Sequence, residues 1–408
     1  NLNDSGTINV SSVTALTGSF SDLSTFYDNR TNFTTPTNIT SATLSSGAIS
    51  DAGALQTLSN NLQTNVNSNF AIDLTNTTQI TGSYSEVYSI VTGLSTSPAD
   101  FSNLSGTALV ATDNLTTTEA NNLSAATTAA VTATLTTNSL ANFNSGLSSD
   151  SNPSGGNAYT LTLNDSSVDA GDLASLDAKI SSSGSINITD VRTLTGTFAE
   201  VQQFYTDRAN FTNASTITSV SLNTSEAISS ASTLKTFHDN IRTVASSATV
   251  ALTSITGVTG NLADIEALVT LKDNNTLTSF TTQAITISDS TSVSKANSIN
   301  TETTGVVTAT ITEGDMSTLA SLADKEGGQS TDNAYTVTIT DTSVAAGALN
   351  TLAGKTSVAV TGSAITTLTG TISDVNTAYA NTSGITGLGN EAVTISDTDN
   401  SSNGVSIA

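Results

Sequence analysis

The chain repeats itself along most of its length. The segment that starts at Ile8 recurs at Ile186, 178 positions later, with its apolar, glycine, arginine and aromatic positions in the same order. An independent match joins the segments that start at Ala158 and Ala334, which are 176 positions apart. A third copy opens near Val360. Because self-similarity at a fixed period is the signature of stacked repeat architectures, this feature limits the possible folds more than any other.

Each long repeat contains smaller units that begin with a strand-like run. These runs lie near residues 8, 42, 71, 108, 132, 159, 186, 219, 249, 284, 307, 336, 359 and 392. The spacing between them is typical of solenoids, and the order of long and short spacings recurs after six units. The pattern therefore predicts a first six-unit block at residues 1–185, a second at residues 186–358 and the start of a third at residues 359–408.

A capping pattern follows the repeated Leu-Thr-Gly type of segment. A Ser, Thr or Asn is followed three residues later by Asp or Glu, which is the pattern of a capping box at the start of a helix. The glycine before it lets the chain turn sharply out of the strand. The predicted capping pairs are Ser19 with Asp22, Ser83 with Glu86, Thr197 with Glu200, Asn261 with Asp264, and Thr371 with Asp374.

Strand-like runs that alternate with helix starts predict an α/β solenoid. Residues 159–163 alternate apolar residues with Thr, as in a strand with one buried face. A crossover after each strand requires parallel neighbours and favours the right-handed sense. We therefore expect a parallel, right-handed stack of about fourteen strand-plus-helix units with one strand each. The alternative is a pure β-solenoid, in which the Ala- and Ser-rich runs form loops and extra strands.

Charge and composition exclude several classes of function. The 408 residues include 10 Lys and Arg against 34 Asp and Glu, a net charge of −24, which disfavours binding to nucleic acid or to anionic membranes. The chain has no cysteine and one histidine, which excludes disulfides and the common zinc sites. No apolar run is long enough to predict insertion into a membrane.

The candidate catalytic residues do not form a pattern that predicts an enzyme. His238 is the only histidine, and we interpret it as a polar helix residue because a general base needs a nucleophile and an orienting partner. Acidic residues could pair as in a glycosidase, but they recur at one structural place in successive units instead of converging in a cleft. The sequence therefore predicts no catalytic residue and no cofactor.

A second set of acidic residues follows predicted strands. Its members are Asp165, Asp289, Asp341 and Asp397. Asp and Asn form turns readily, which accounts for these positions without a metal. Near the end of the sequence, Asp397, Asp399 and Asn403 have a spacing like that of a calcium loop, without the closing Glu of an EF-hand. These three residues are the calcium candidates, and calcium binding stays open.

Three tyrosines occupy equivalent places in the three copies. They are Tyr27, Tyr205 and Tyr379. Such a row could bind sugar. We interpret each instead as the large apolar residue that closes its helix onto the sheet.

Residues 343–349 and 385–397, together with the repeated Leu-Thr-Gly segments, resemble the long repeat arrays of giant surface and secreted proteins of marine cyanobacteria. Some of those proteins are exported by type I secretion. The resemblance implies an extracellular protein of the cell surface or of an appendage. The calcium-binding Gly-Gly-x-Gly-x-Asp repeats common in type I secreted proteins are not found, so the resemblance does not extend to calcium-driven folding.

These observations predict a structural protein that forms or coats a filament, sheath or surface appendage. Neither end of the sequence has the character of a polar cap, so we expect copies of the chain to stack head to tail, or the chain to continue into further repeats. The alternative is an adhesin or phage-type fibre module that binds glycans on a cell surface. Neither hypothesis involves nucleic acid or membrane insertion.

Overall fold

The computed structural model describes residues 6–148, 156–325 and 331–397. The chain forms two compact bodies. The first body comprises Asn1–Leu194 and Glu200–Thr216, and the second comprises Thr195–Ala199 and Ile217–Ala408. The predicted calcium candidates Asp399 and Asn403 lie outside the described residues.

Short strands alternate with short helices along the described residues. The strands are β1 (Ile8–Asn9), β2 (Ala15–Gly18), β3 (Phe33–Thr34), β4 (Ser41–Leu44), β5 (Gly47–Ile49), β6 (Ala71–Asp73), β7 (Thr77–Gly82), β8 (Phe101–Ser102), β9 (Ala108–Leu115), β10 (Val131–Leu135), β11 (Ala158–Thr162), β12 (Ser167–Asp169), β13 (Ser185–Asn187), β14 (Thr193–Gly196), β15 (Phe211–Thr212), β16 (Ser219–Leu222), β17 (Ala227–Ile228), β18 (Thr249–Ala251), β19 (Gly257–Gly260), β20 (Leu277–Thr278), β21 (Ala284–Thr291), β22 (Val307–Ile311), β23 (Ala334–Thr336), β24 (Ser343–Ala345), β25 (Val360–Thr361), β26 (Thr367–Gly370), β27 (Ile385–Thr386) and β28 (Ala392–Ile395). The α-helices are α1 (Phe20–Asp28), α2 (Ala52–Asn65), α3 (Tyr84–Gly93), α4 (Thr117–Ser124), α5 (Leu140–Gly146), α6 (Ala170–Asp177), α7 (Phe198–Thr206), α8 (Ala231–Val244), α9 (Leu262–Asp273), α10 (Val293–Asn300), α11 (Met316–Leu319), α12 (Ala346–Ala353) and α13 (Ile372–Ala380). Short 3₁₀ turns lie at Arg30–Asn32, Pro36–Asn38, Arg208–Asn210 and Ala214–Thr216.

The strands of each body pair in parallel. In the first body, a seven-stranded sheet has the order β15-β13-β11-β10-β9-β7-β5, and a separate four-stranded sheet has the order β2-β4-β6-β8. In the second body, a five-stranded sheet has the order β17-β19-β21-β22-β23, and a three-stranded sheet has the order β24-β26-β28. Consecutive strands of the chain therefore often belong to different sheets.

The structure confirms the mixed α/β class and corrects the number of strands per unit. Each of the fourteen predicted strand positions is a strand, but in the described ranges an equal number of further strands lies between them. Several of these are the Leu-Thr-Gly segments β2, β14 and β26, which were not among the fourteen predicted strand positions. The alternative without helices is wrong, because Ala-rich runs such as α12 are helical. The boundaries of the six-unit blocks and the right-handed crossover stay predictions.

Aliphatic side chains fill most of the interior, together with buried aromatic residues such as Phe70 and Tyr335. In β10, Val131, Ala133 and Leu135 are each at most 4% exposed, while the threonines between them face outward. This alternation places one face of the strand in the core. None of the described helices is both long enough and apolar enough to cross a membrane.

Candidate functional site

The capping pairs lie at helix N-termini. Ser19 is the N-cap of α1: its hydroxyl accepts a hydrogen bond from the Asp22 amide at 3.1 Å, and the Asp22 carboxylate accepts one from the Ser19 amide at 2.9 Å. The Ser19 hydroxyl and amide hold the pKa of Asp22 below its ordinary value, because they stabilise the ionised carboxylate. This reciprocal pair satisfies two of the backbone donors that a helix start leaves without partners.

The other predicted pairs lie at the starts of α3, α7, α9 and α13. Three of these pairs are joined by hydrogen bonds from Ser83 N to Glu86 Oε2 at 2.8 Å, from Asp264 N to Asn261 Oδ1 at 2.8 Å, and from Asp374 N to Thr371 Oγ1 at 3.0 Å. Thr197 immediately precedes α7, and Glu200 lies in its first turn. A further capping box, Thr116 with Glu119, opens α4. No Leu-Thr-Gly segment precedes this box, so the sequence pattern did not predict it.

The second acidic set has a role that its sequence positions did not reveal. These carboxylates reach back to the preceding strand–helix unit and accept a hydrogen bond from the first backbone amide of its helix. We call these contacts inter-unit caps. In the second acidic set they join Asp165 to Leu140 N at 2.6 Å, Asp289 to Leu262 N at 2.8 Å, Asp341 to Met316 N at 2.7 Å, and Asp397 to Ile372 N at 2.9 Å. Three carboxylates outside that set make the same contact: Asp113 with Tyr84 N at 2.7 Å, Glu226 with Phe198 N at 2.9 Å, and Glu313 with Val293 N at 3.0 Å.

An inter-unit cap and a local cap satisfy different donors of one helix. In α9, the Asn261 side chain accepts a hydrogen bond from the backbone amide of Asp264. The Asp289 carboxylate, from the next unit, accepts one from the backbone amide of Leu262. Both acidic side chains lie at the positive end of the helix dipole. The interpretation of the second acidic set as turn residues alone is therefore incomplete. Among the described residues, no group of three or more His, Cys, Asp or Glu side chains could hold a metal ion.

Glycine in the Leu-Thr-Gly type of segment also allows close contact between units. A Cβ added at Gly82 would lie 2.7 Å from the Cβ of Ala52, the first residue of α2. A Cβ added at Gly260 would lie 2.5 Å from the Cβ of Ala231, the first residue of α8. Since real Cβ atoms do not approach this closely, glycine is needed for packing as well as for the turn out of the strand.

At two helices, α5 and α11, a lysine ammonium group binds backbone carbonyls at the C-terminal end. Lys179 donates to the backbone carbonyls of Asn144 and Leu147 at the end of α5, the latter at 2.9 Å. Lys355, 176 positions later, donates to the carbonyls of Ala320 and Leu322 after α11, both at 2.8 Å. A cation at this end complements the helix dipole. Units in equivalent places of the two long repeats are thus joined by the same charged contact.

Buried asparagines bridge neighbouring units at equivalent places in the two bodies. The Asn157 side-chain oxygen accepts from Val131 N at 2.8 Å, and that of Asn333 accepts from Val307 N at 2.9 Å. Asn157 is 2% exposed and Asn333 is fully buried. A buried amide must have hydrogen-bond partners, so these side chains fix the register of their strands. The two asparagines are 176 residues apart, which is the offset between the repeated segments that start at Ala158 and Ala334. Asparagine is so common in this chain that this match did not single them out.

His238 lies in α8, as predicted, but it is buried. Its side chain is 3% exposed, and Nδ1 lies 3.0 Å from the Asp239 carboxylate. Nε2 has no hydrogen-bond partner within the described part of the chain. Hydrogen bonds from Lys235 and His238 hold the pKa of Asp239 below its ordinary value against the opposing effect of burial. The position of His238 is that of Ser59 in the first copy, which is also buried.

The interpretation of the equivalent tyrosines as core-closing residues is wrong. Tyr27 and Tyr205 are half-buried, and the guanidinium groups of Arg30 and Arg208 lie 4.1 and 4.4 Å from their ring centroids. The residue that enters the core is the phenylalanine one position earlier: Phe204 is 4% exposed. A helix turns by about 100° per residue, so a shift of one position moves a side chain from the core to the flank.

The strands β1 and β2, each at the edge of its own sheet, expose side chains that are buried in later copies. Ile8 is 44% exposed, whereas its equivalent Ile186 is fully buried. Leu16 on β2 is half-buried, whereas its equivalent Leu368 is fully buried. A shallow pocket of about 90 Å³ lies here, and its lining includes Leu16, Gly18, Asp22, Leu23 and Phe26. This edge is the clearest candidate for an interaction surface in the first body.

The sequence matches no protein-family model, and comparison with curated proteins and with solved structures finds no match. The candidate site must therefore be interpreted from the side chains of this chain alone.

Proposed function

We propose that the chain is a structural, extracellular repeat protein whose units stack as a right-handed α/β solenoid. In this proposal it forms or coats a filament, sheath or surface appendage and carries out no catalysis. Its main partners are further repeats of the same kind, contributed by other copies head to tail or by continuation of the chain.

The burial difference between Ile8 and Ile186 carries this proposal. Ile186 is fully buried on β13, which pairs with β11 on one side and β15 on the other, whereas Ile8 is 44% exposed on β1, which among the described residues pairs with β3 alone. Exposed strand edges with apolar side chains are templates for pairing. Contacts between surfaces related by a rotation and a translation do not close and so produce filaments.

The use made of the acidic residues supports a structural role. Asp22 and Asp165 each accept hydrogen bonds from backbone amides at a helix start, in different units. A catalytic pair of carboxylates would instead converge on one substrate. The net charge of −24 keeps such an assembly soluble and favours an environment in which salt screens the repulsion between copies.

Electron microscopy of the purified full chain tests this proposal. We expect filaments with an axial repeat on the order of 65 Å, the length of fourteen strands spaced about 4.8 Å apart. Dispersed single particles at high protein concentration would contradict head-to-tail assembly. Turnover of a glycan or peptide that disappears when one acidic residue is replaced would contradict the absence of catalysis.

A groove between α1 and α2 favours a second candidate, an adhesin that binds glycans. The groove has a volume of about 370 Å³ and is lined by residues that include Phe20, Tyr27, Asp28 and Asn61. Aromatic faces beside amide and carboxylate groups suit the apolar and hydroxylated faces of sugars. A glycan array probed with the full chain and with Tyr27→Ala tests this candidate: equal signals from both proteins would exclude a role for the groove.

A further inference from the structure

The second body contains a unit that shows how the uncovered β2 edge is filled. Strand β24 pairs in parallel with β26 in the register Ser343 to Thr367, Val344 to Leu368 and Ala345 to Thr369. Leu368 is fully buried and Val344 is 3% exposed. We call residues 343–353, which comprise β24 and α12, the covering segment.

Helix α12 of the covering segment completes the contact. Ala346, its first residue, lies against Gly370: a Cβ added at this glycine, whose φ is +149°, would be 3.4 Å from the Ala346 Cβ. A Cβ added at Gly347 would be 3.3 Å from the Asp374 carboxylate. The side chain of Asn350 donates to the Asp374 carbonyl oxygen at 2.9 Å. The covering segment therefore contacts β26, Gly370 and the first turn of α13 at the same time.

The β2 edge presents the same features without a covering segment among the described residues. Leu16, Gly18 and Asp22 stand where the covered copy has Leu368, Gly370 and Asp374. Leu16 and Gly18 are half-buried and border the 90 Å³ pocket. Asp22 is held by Ser19, as Asp374 is held by Thr371, so the first helical turn has the same local cap in both copies.

We propose that the β2 edge is an acceptor site for a strand–helix segment of the Ser-Val-x-Ala-Gly-x-Leu type, carried by another repeat. Residues 167–173 have this sequence type as well, Ser-Val-Asp-Ala-Gly-Asp-Leu. The incoming strand pairs with β2 in the register of β24 on β26. Its Val packs on Leu16 and its Ala fits against Gly18. This inference rests on the proposed function and identifies the partner that the edge accepts.

A labelled peptide with the sequence of residues 341–355 provides the first test, by fluorescence anisotropy with the full chain. We expect saturable binding, and we expect Leu16→Asp to weaken it at least about tenfold, since an unpaired carboxylate would be buried in the contact. Thr25→Asp is the matched control, because Thr25 is exposed on α1 and its equivalent Thr377 stays exposed in the covered copy. Equal loss of binding in both variants, or equal binding by a peptide that carries Val344→Asp and Leu349→Asp, would overturn the proposal.

Disulfide trapping tests the register in a chain whose β2 edge keeps Leu16. The protein has no cysteine, so one introduced by Thr17→Cys reacts without background. The proposed register places residue 345 of the peptide directly opposite Thr17, and residue 343 opposite Ala15. We expect an Ala345→Cys peptide to cross-link at least about tenfold faster than a Ser343→Cys peptide, because facing Cβ atoms meet the distance that a disulfide needs. Equal rates would overturn the register.

The outcomes separate this inference from the proposed function. Peptide binding by a chain that forms no filaments would support the acceptor site and contradict assembly by full copies. Filaments formed by a chain that does not bind the peptide would contradict the acceptor site alone.

Discussion

The Asp165 carboxylate accepts a hydrogen bond at 2.6 Å from the backbone amide of Leu140, which lies 25 residues earlier and belongs to the preceding strand–helix unit. The contact satisfies the first amide of α5, a donor that no residue of that helix can satisfy. Six further contacts of this kind occur among the described residues. A helix in this protein is thus completed by the next unit, which makes the units stable together.

Removal of an inter-unit cap should destabilise the protein. We expect Asp165→Ala to lower the free energy of unfolding by about 1 kcal/mol, the usual cost of losing a helix N-cap. Asp190→Ala is the matched control, because Asp190 is exposed and its replacement removes the same charge. Chemical denaturation monitored by circular dichroism measures both changes. Equal effects of the two substitutions would show that net charge, and not the cap, is responsible.

The close contact between Gly82 and Ala52 predicts a rescue. We expect Gly82→Ala to cost about 1–3 kcal/mol of unfolding free energy, because the added methyl group overlaps the Ala52 side chain. The double variant Gly82→Ala with Ala52→Gly should recover part of this loss. Gly106→Ala, at a site with no atom near the added Cβ, is the control. Additive effects of the two substitutions would mean that the residues do not meet.

Loss of the buried amide at Asn333 should be costly. We expect Asn333→Ala to lower the unfolding free energy by about 1–3 kcal/mol, because Val307 N would remain buried without its acceptor. Asn390→Ala, at an exposed position, should leave stability nearly unchanged. Thermal or chemical denaturation distinguishes them. If both variants were as stable as the parent chain, Asn333 would have no role in holding the register.

The Tyr379–Glu391 pair predicts a response to alkaline pH. Burial of the phenol and its 2.8 Å hydrogen bond to the Glu391 carboxylate raise the pKa of Tyr379 to about 12. Because the folded pKa lies above the ordinary value of 10.0, the stabilising contribution is present below pH 10 and is lost as the pH rises toward 12.

Absorbance titration of the phenols measures this effect. In Glu391→Gln, one of the seven tyrosines should ionise at a lower pH than in the parent chain. The variant Tyr379→Phe identifies that phenol, because it removes the late step. Superimposable titrations of Glu391→Gln and the parent chain would contradict the coupling.

Features fixed by neighbouring residues were predictable from the sequence. The pairing of Ser19 with Asp22 depends on a spacing of three residues within one helix turn, so a short pattern reveals it. The contact of Asp165 with Leu140 spans two units, and Asp165 has the same local sequence as an ordinary turn residue. The contact between Asp165 and Leu140 can be identified only when the parallel stacking of the units is known.

The strand content and the tyrosines were misread for related reasons. The segment Ala15–Gly18 is only four residues long, so its alternation is too short to distinguish a strand from the approach to a helix. Phe204 and Tyr205 are adjacent, and both are aromatic. The face on which each lies depends on how α7 is rotated about its axis, and packing against the sheet, not residue type, sets that rotation.

Sedimentation velocity over a concentration series measures assembly through the uncovered first strands most directly. Ile8→Asp is the informative variant, because Ile8 is the exposed equivalent of the buried Ile186. Thr7→Asp, at an exposed residue just before β1, is its control. We predict that the parent chain and Thr7→Asp sediment faster as concentration rises, while Ile8→Asp remains a monomer. A parent chain that stays monomeric throughout the series, or an Ile8→Asp variant that assembles as readily as the parent, would contradict the proposed role of this edge.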